Sequence, residues 1–122
     1  MRALVIDDSR AIRALIGSIL RKHGYGVSEA GSGREGLENL KKTGVPNLAL
    51  VDWNMPEMNG IDFVRAVRAQ PEYVGMPILM VTTETEMCQV QQALDAGADE
   101  YLMKPFTAET LMEKLELLRN RS

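Results

Sequence analysis

Ala3-Leu4-Val5-Ile6-Asp7-Asp8 opens the chain with an apolar run that stops at two acids. The same pattern recurs three times further on. Leu48-Ala49-Leu50-Val51 stops at Asp52, Ile78-Leu79-Met80-Val81 at Thr82, and Tyr101-Leu102-Met103 at Lys104. The runs are continuous rather than alternating, which is the pattern of strands covered on both faces. In an open parallel sheet the carboxyl ends of the strands line the ligand crevice. Three carboxylates, a hydroxyl and an ammonium would therefore converge, an inventory suited to holding a divalent cation and receiving a phosphoryl group.

Helical patterns separate these runs. Ile12, Leu15, Ile16, Ile19 and Leu20 recur at three and four, with Ser9 as N-cap and Gly24 as stop. Ser32 and Glu35 form a capping box ahead of Leu37 and Leu40. Ile61, Val64, Val67 and Arg68 suit a third helix ending near Pro71. Thr83 and Glu86 read as another capping box, followed by Met87, Val90, Ala93 and Leu94, with Gly97 closing the helix. A fifth helix begins near Thr107 and carries Leu111, Leu115 and Leu118. A second strand is expected at residues 25–30, where apolar content is thin. Strands alternating with helices imply right-handed crossovers and an α/β fold with helices on both faces of a parallel sheet.

At 122 residues, 45% hydrophobic and 25% charged, the chain has the size and composition of one globular domain, expected to occupy residues 1–122 without linker or effector domain. A net charge of -3 without a basic cluster argues against nucleic acid as a ligand. Cys88 is alone, so no disulfide can form within the chain, and a reducing compartment is expected. The first apolar run ends at Ile6, too soon for a signal-peptide core or a membrane span. A cytoplasmic, monomeric protein without membrane insertion is the expectation.

Asp7 and Asp8 would repel each other unless a cation lies between them, and Mg²⁺ suits a few carboxylates plus phosphate oxygens. One of the pair could equally serve the N-terminus of the first helix. Asp52 ends another buried strand and precedes Trp53-Asn54-Met55-Pro56, where Pro56 cannot continue a ladder and Gly60 permits a positive φ before the next helix. A carboxylate there would be a nucleophile toward phosphorus, once a metal offsets the charge repulsion. Thr82 and Lys104 would supply a hydrogen-bond donor and a second cation for the transferred group. The Lys104-Pro105 bond is a candidate for the cis isomer, which would turn the chain and aim Lys104 inward.

Asp7-Asp8 after the first strand, Asp52-Trp53-Asn54-Met55-Pro56, Val81-Thr82 and Lys104-Pro105-Phe106 occur in one order along the chain. Together they resemble the receiver domain of bacterial response regulators, in particular the single-domain chemotaxis type. The resemblance implies a flavodoxin-like, doubly wound five-stranded sheet of order 2-1-3-4-5 with five helices. It implies Asp52 as phosphoacceptor, with Mg²⁺ held by Asp7, Asp8, Asp52 and the backbone carbonyl of Asn54. Thr82 and Lys104 would bind phosphoryl oxygens, and Tyr101 would be a switch aromatic turning inward as Thr82 moves. Asn54 and Glu84 would set how water reaches the acyl phosphate, and their polarity implies a short-lived signal. Such a protein is not an enzyme but a phosphoacceptor of two-component signalling. Its partners would be a sensor histidine kinase and an output protein such as the flagellar motor switch, bound on the face of the fourth helix, fifth strand and fifth helix. A relay shuttle to a histidine phosphotransfer protein is the alternative within the family.

Two other phosphate-handling classes fit the sequence less well. A flavodoxin-type flavin binder needs a hydroxyl- and glycine-rich loop after the first strand, where this chain has Asp7-Asp8-Ser9-Arg10. An aspartyl phosphatase of the haloacid dehalogenase type needs a second Asp two residues after a first-strand nucleophile, and that position is Ser9. His23, near a helix end, reads as capping or solvated rather than as a relay histidine.

Overall fold

A computed structural model describes residues 1–55, 57–83 and 90–120, with Asn120 described by its backbone alone. Pro56, Glu84, Glu86, Met87 and Cys88 lie outside the described residues. The chain runs β1 (Arg2–Ile6), α1 (Arg10–Lys22), β2 (Gly26–Ala30), α2 (Gly33–Thr43), β3 (Leu48–Asp52), α3 (Gly60–Arg68), a 3₁₀ turn (Pro71–Tyr73), β4 (Ile78–Thr83), α4 (Val90–Ala96), β5 (Glu100–Lys104) and α5 (Ala108–Asn120). All five strands pair in parallel in the order β2-β1-β3-β4-β5.

The continuous apolar runs divide residue by residue between two cores. Leu4, Ile6, Ala49, Val51, Ile78 and Met80 face α2, α3 and α4. Ala3, Val5, Leu48, Leu50, Leu79 and Val81 face α1 and α5, where Ile16, Leu20, Leu111, Leu115 and Leu118 cover them. Burial of each Leu, Ile, Val or Met among them contributes roughly 1.5–3 kcal/mol, and a register slip in β1, β3 or β4 would move a whole row of them to the wrong layer.

The helix starts follow their caps. Ser9 Oγ accepts from Ile12 N at 3.3 Å, and Ser32 Oγ accepts from Glu35 N at 3.2 Å. The return bond of the second cap goes one residue further back than a capping box requires, from Gly31 N to Glu35 Oε2 at 2.6 Å. Asn59 Oδ1 caps α3 by accepting from Asp62 N at 2.9 Å. Thr107 and Thr110 cap α5 reciprocally, each backbone N–H donating to the other's hydroxyl.

Three expectations are revised. Leu15 is 48% exposed, because the buried stripe of α1 runs through Ile16, Gly17 and Leu20. Thr83 is the last residue of β4, one position beyond the expected strand end. In the loop after β3 the positive φ falls at Glu57, at 67°, and not at Gly60. Gly60 is required for close approach instead. A Cβ there would lie 2.5 Å from the Asp52 backbone oxygen and 3.1 Å from Trp53 Cα, and Gly60 N donates to Trp53 O at 2.9 Å. Gly60→Ala should therefore destabilise the fold by about 1–3 kcal/mol through forced backbone displacement. Urea unfolding would register this as a lower midpoint.

Candidate functional site

The register brings the strand ends level. Ile6 pairs with Val51, which places Asp7 beside Asp52. Asp52 pairs with Val81, and Thr83 pairs with Lys104. Strand order reverses between β1 and β3, and a crevice opens at such a switch point beyond the carboxyl ends of the strands. Asp7 and Asp52 flank that crevice.

Asp7, Asp8 and Asp52 each offer a carboxylate oxygen within 4.8 Å of the others. Among the described residues no other group of three or more His, Cys, Asp or Glu converges in this way. Asp7 and Asp52 are 1% and 4% exposed, whereas Asp8 is exposed. A hard, all-oxygen donor set with one side open to water fits Mg²⁺, which retains several of its waters when bound.

Lys104 is the counter-charge. Its Nζ donates to Asp52 Oδ1 at 2.9 Å and to Asp7 Oδ2 at 3.4 Å, and the Lys104-Pro105 peptide is cis. Asp7 is held on its other side by Ser9 N, which donates to Oδ1 at 2.8 Å. Its carbonyl accepts from Arg13 Nη1 at 2.6 Å.

Burial lifts the Asp52 carboxyl from 3.8 to about 6, with the charges of Asp7 and Asp8 adding to the rise and Lys104 opposing it. For Lys104, burial acts to lower the ammonium, but the hydrogen bond and charge of Asp52, with help from Asp7, outweigh it and hold the group above its ordinary value. At neutral pH the pair is thus a carboxylate and an ammonium.

Thr82 is buried at the end of β4, with its hydroxyl donating to Thr83 O at 3.4 Å. Asn54 is exposed on the loop after β3. Tyr101 is partly buried against the core beneath α3 and α4, and Lys114 Nζ lies 4.5 Å from its ring centroid. His23 is at the far end of α1, where Nδ1 donates to Ile19 O at 2.9 Å. The sequence reading missed Arg13 and Ser9 N as groups that hold Asp7. Arg13 could have been found from its place on α1, one turn beyond the Ser9 cap.

A carboxyl whose folded value lies above its unfolded one binds more protons when folded, so stability falls as pH rises through the window between them. For Asp52 that window runs from 3.8 to about 6. Without divalent cations, Asp52→Asn should be more stable than the parent at about pH 7.5, with the gain fading toward about pH 4. Urea midpoints in the presence of a chelator, taken across that range, check this.

The profile of the response regulator receiver domain matches residues 3–116. The chain is 44% identical to "Chemotaxis protein CheY1" of Helicobacter pylori over 119 residues, 97% of this chain and 96% of that protein. It is 46% identical to a "Chemotaxis protein CheY homolog" of Campylobacter jejuni over 117 residues, 95% of this chain and 90% of the relative. Chemotaxis protein CheY4 of Vibrio cholerae superposes with a TM-score of 0.89 at 41% identity, covering 96% of this chain and 97% of that one. A response regulator receiver domain protein from Clostridium thermocellum superposes with a TM-score of 0.89 at 30% identity, covering 98% and 94%. Among the described residues no helix is long and apolar enough to cross a membrane. With its strand order, its helices and nearly all of its length shared with these proteins, the chain belongs to the response regulator receiver domain family.

Proposed function

We propose that Asp52 accepts a phosphoryl group from the phosphohistidine of a sensor histidine kinase, and that the phosphorylated domain is read by a chemotactic output partner. The observation that carries this is a nearly buried carboxylate bonded to Lys104 Nζ at 2.9 Å within a cluster of three acids. In the transfer an Asp52 oxygen forms the new O–P bond as the P–N bond breaks, and the electron pair of that bond stays on the imidazole nitrogen. Lys104, released from the carboxylate, pairs with a phosphoryl oxygen, and the Thr82 hydroxyl donates to another. Asp7, Asp8, Asp52 and the Asn54 carbonyl would hold Mg²⁺, which when bound offsets the repulsion between carboxylates and phosphoryl oxygens.

The relatives named as chemotaxis proteins support a chemotactic output, and the partner we propose is the flagellar motor switch. The reader's surface would comprise α4, β5 and α5. Thr82 and Tyr101 lie on adjacent strands, one at the crevice and one against the α3–α4 side. Drawing the Thr82 hydroxyl toward a phosphoryl group would open space for the Tyr101 ring and bias a two-state element that the partner senses.

Incubated with acetyl phosphate and Mg²⁺, the parent should gain one phosphoryl group by intact-mass spectrometry, while Asp52→Asn gains none at the parent rate. Undiminished labelling of the variant would remove Asp52 from its role. The output reading has its own test in NMR spectra recorded with and without beryllofluoride, which stands in for the acyl phosphate. Shifts should reach Tyr101 and α4, and shifts confined to the acidic crevice would contradict the switch.

A further inference from the structure

We propose that Arg13 is a positioning residue for the divalent cation, acting by fixing the peptide that joins Asp7 to Asp8. The proposal rests on the cation reading given above. Arg13 lies on α1, and its side chain is 15% exposed. Its Nη1 donates to the Asp7 carbonyl at 2.6 Å and its Nε to Glu29 Oε1, on β2, at 3.2 Å. Glu29 Oε2 is also 3.8 Å from Arg21 Nη2.

The Asp7 carbonyl belongs to the planar unit between Asp7 and Asp8, so its direction fixes ψ of Asp7 and, with it, where the Asp8 Cα lies. Asp7 itself is already held, because its N–H donates to Ala30 O at 3.1 Å and its carboxylate is bonded to Ser9 N and Lys104 Nζ. Asp8 is exposed, and the peptide that leads to it sets the point from which its side chain reaches toward the other two carboxylates. Arg13 holds that peptide by its carbonyl. A guanidinium suits the task because its planar fork reaches a carbonyl and a carboxylate at once.

Charge and geometry predict opposite signs. Arg13 is a cation near a cation site, so by Coulomb's law alone its removal would tighten Mg²⁺ binding. Loss of positioning would weaken it, and outer groups that orient metal ligands typically account for about 10–100-fold in affinity.

The test is a Mg²⁺ titration followed by the fluorescence of Trp53, which is buried and adjacent to Asp52, on the parent, Arg13→Met, Arg13→Lys and Asp8→Ala. Arg13→Met should bind Mg²⁺ about tenfold more weakly than the parent. Arg13→Lys, which keeps the charge but loses the fork, should fall between them, and it carries the test if Arg13→Met does not fold. Parent-like or tighter binding by the folded Arg13 variants would overturn the proposal, including a case where only the thermal midpoint moves. If Asp8→Ala binds as tightly as the parent, the cation reading itself fails and the proposal with it. Weakened Asp8→Ala beside parent-like Arg13 variants rejects the positioning role alone.

Discussion

Lys104 Nζ reaches Asp52 Oδ1 at 2.9 Å although β4 lies between their strands. Two strand spacings, roughly 9.5 Å, separate β3 from β5, a span suited to the long lysyl stem. The need for that bond comes from the acids. Asp52 is buried beside Asp7 and within ligand distance of Asp8, and a carboxylate so placed would be far more costly without a cation. Even with Lys104 in place, burial first and then the charges of Asp7 and Asp8 keep Asp52 lifted to about 6. A site with surplus negative charge and one open acidic edge is disposed toward a second, divalent cation.

That arrangement depends on strand ends that cannot drift. Val51 and Val81, which precede Asp52 and Thr82, are fully buried on opposite sides of the sheet. Displacing either would empty part of a core, and cavities in close-packed interiors are costly. The start of α3 is held as closely, because Gly60 lies directly against the Asp52 backbone. Under the proposed function, strand ends held in this way would leave side-chain rotation and helix displacement as the means by which added charge is accommodated.

Much of this was legible in the sequence because the informative signals are local. Continuous apolar runs identify doubly covered strands, and a polar residue at the end of each run marks the crevice. Ser9, Ser32 and Thr107 announce their helices through caps that form as the residue types suggest. What escaped reading depends on contacts between residues distant in sequence. Gly60 was legible as a special position, but its reason, the approach of the Asp52 carbonyl, exists only once β3 and α3 are packed. Leu15 satisfies the helical period yet lies at the margin of the stripe, where the period alone does not tell a core position from an exposed one. Arg13 and Glu29 look like ordinary surface charges until β2 is laid beside β1.

Arg68 bears on the proposed output movement in the same long-range way. From the end of α3 its guanidinium donates to Gly97 O at 2.9 Å, Tyr73 O at 2.6 Å and Asp99 Oδ2 at 3.0 Å. Asp99 Oδ2 in turn accepts from Ile78 N at 2.8 Å, at the start of β4. Gly97, at φ +124°, allows the chain to leave α4 over this side chain, since a Cβ there would lie 2.6 Å from Arg68 Cγ. The C-terminal end of α4 is thus tied to α3, β4 and the 3₁₀ turn through one planar cation, while Thr82 and Thr83 lead toward its other end. Under the proposed function, a pull on Thr82 would act on a helix anchored at its far end, and tilting about that anchor would keep the Arg68–Gly97 bond that sliding the whole helix would break. A tilt of this kind would change the surface beside Tyr101 most where α4 is farthest from Arg68, which couples the chemistry of the crevice to one edge of the output face.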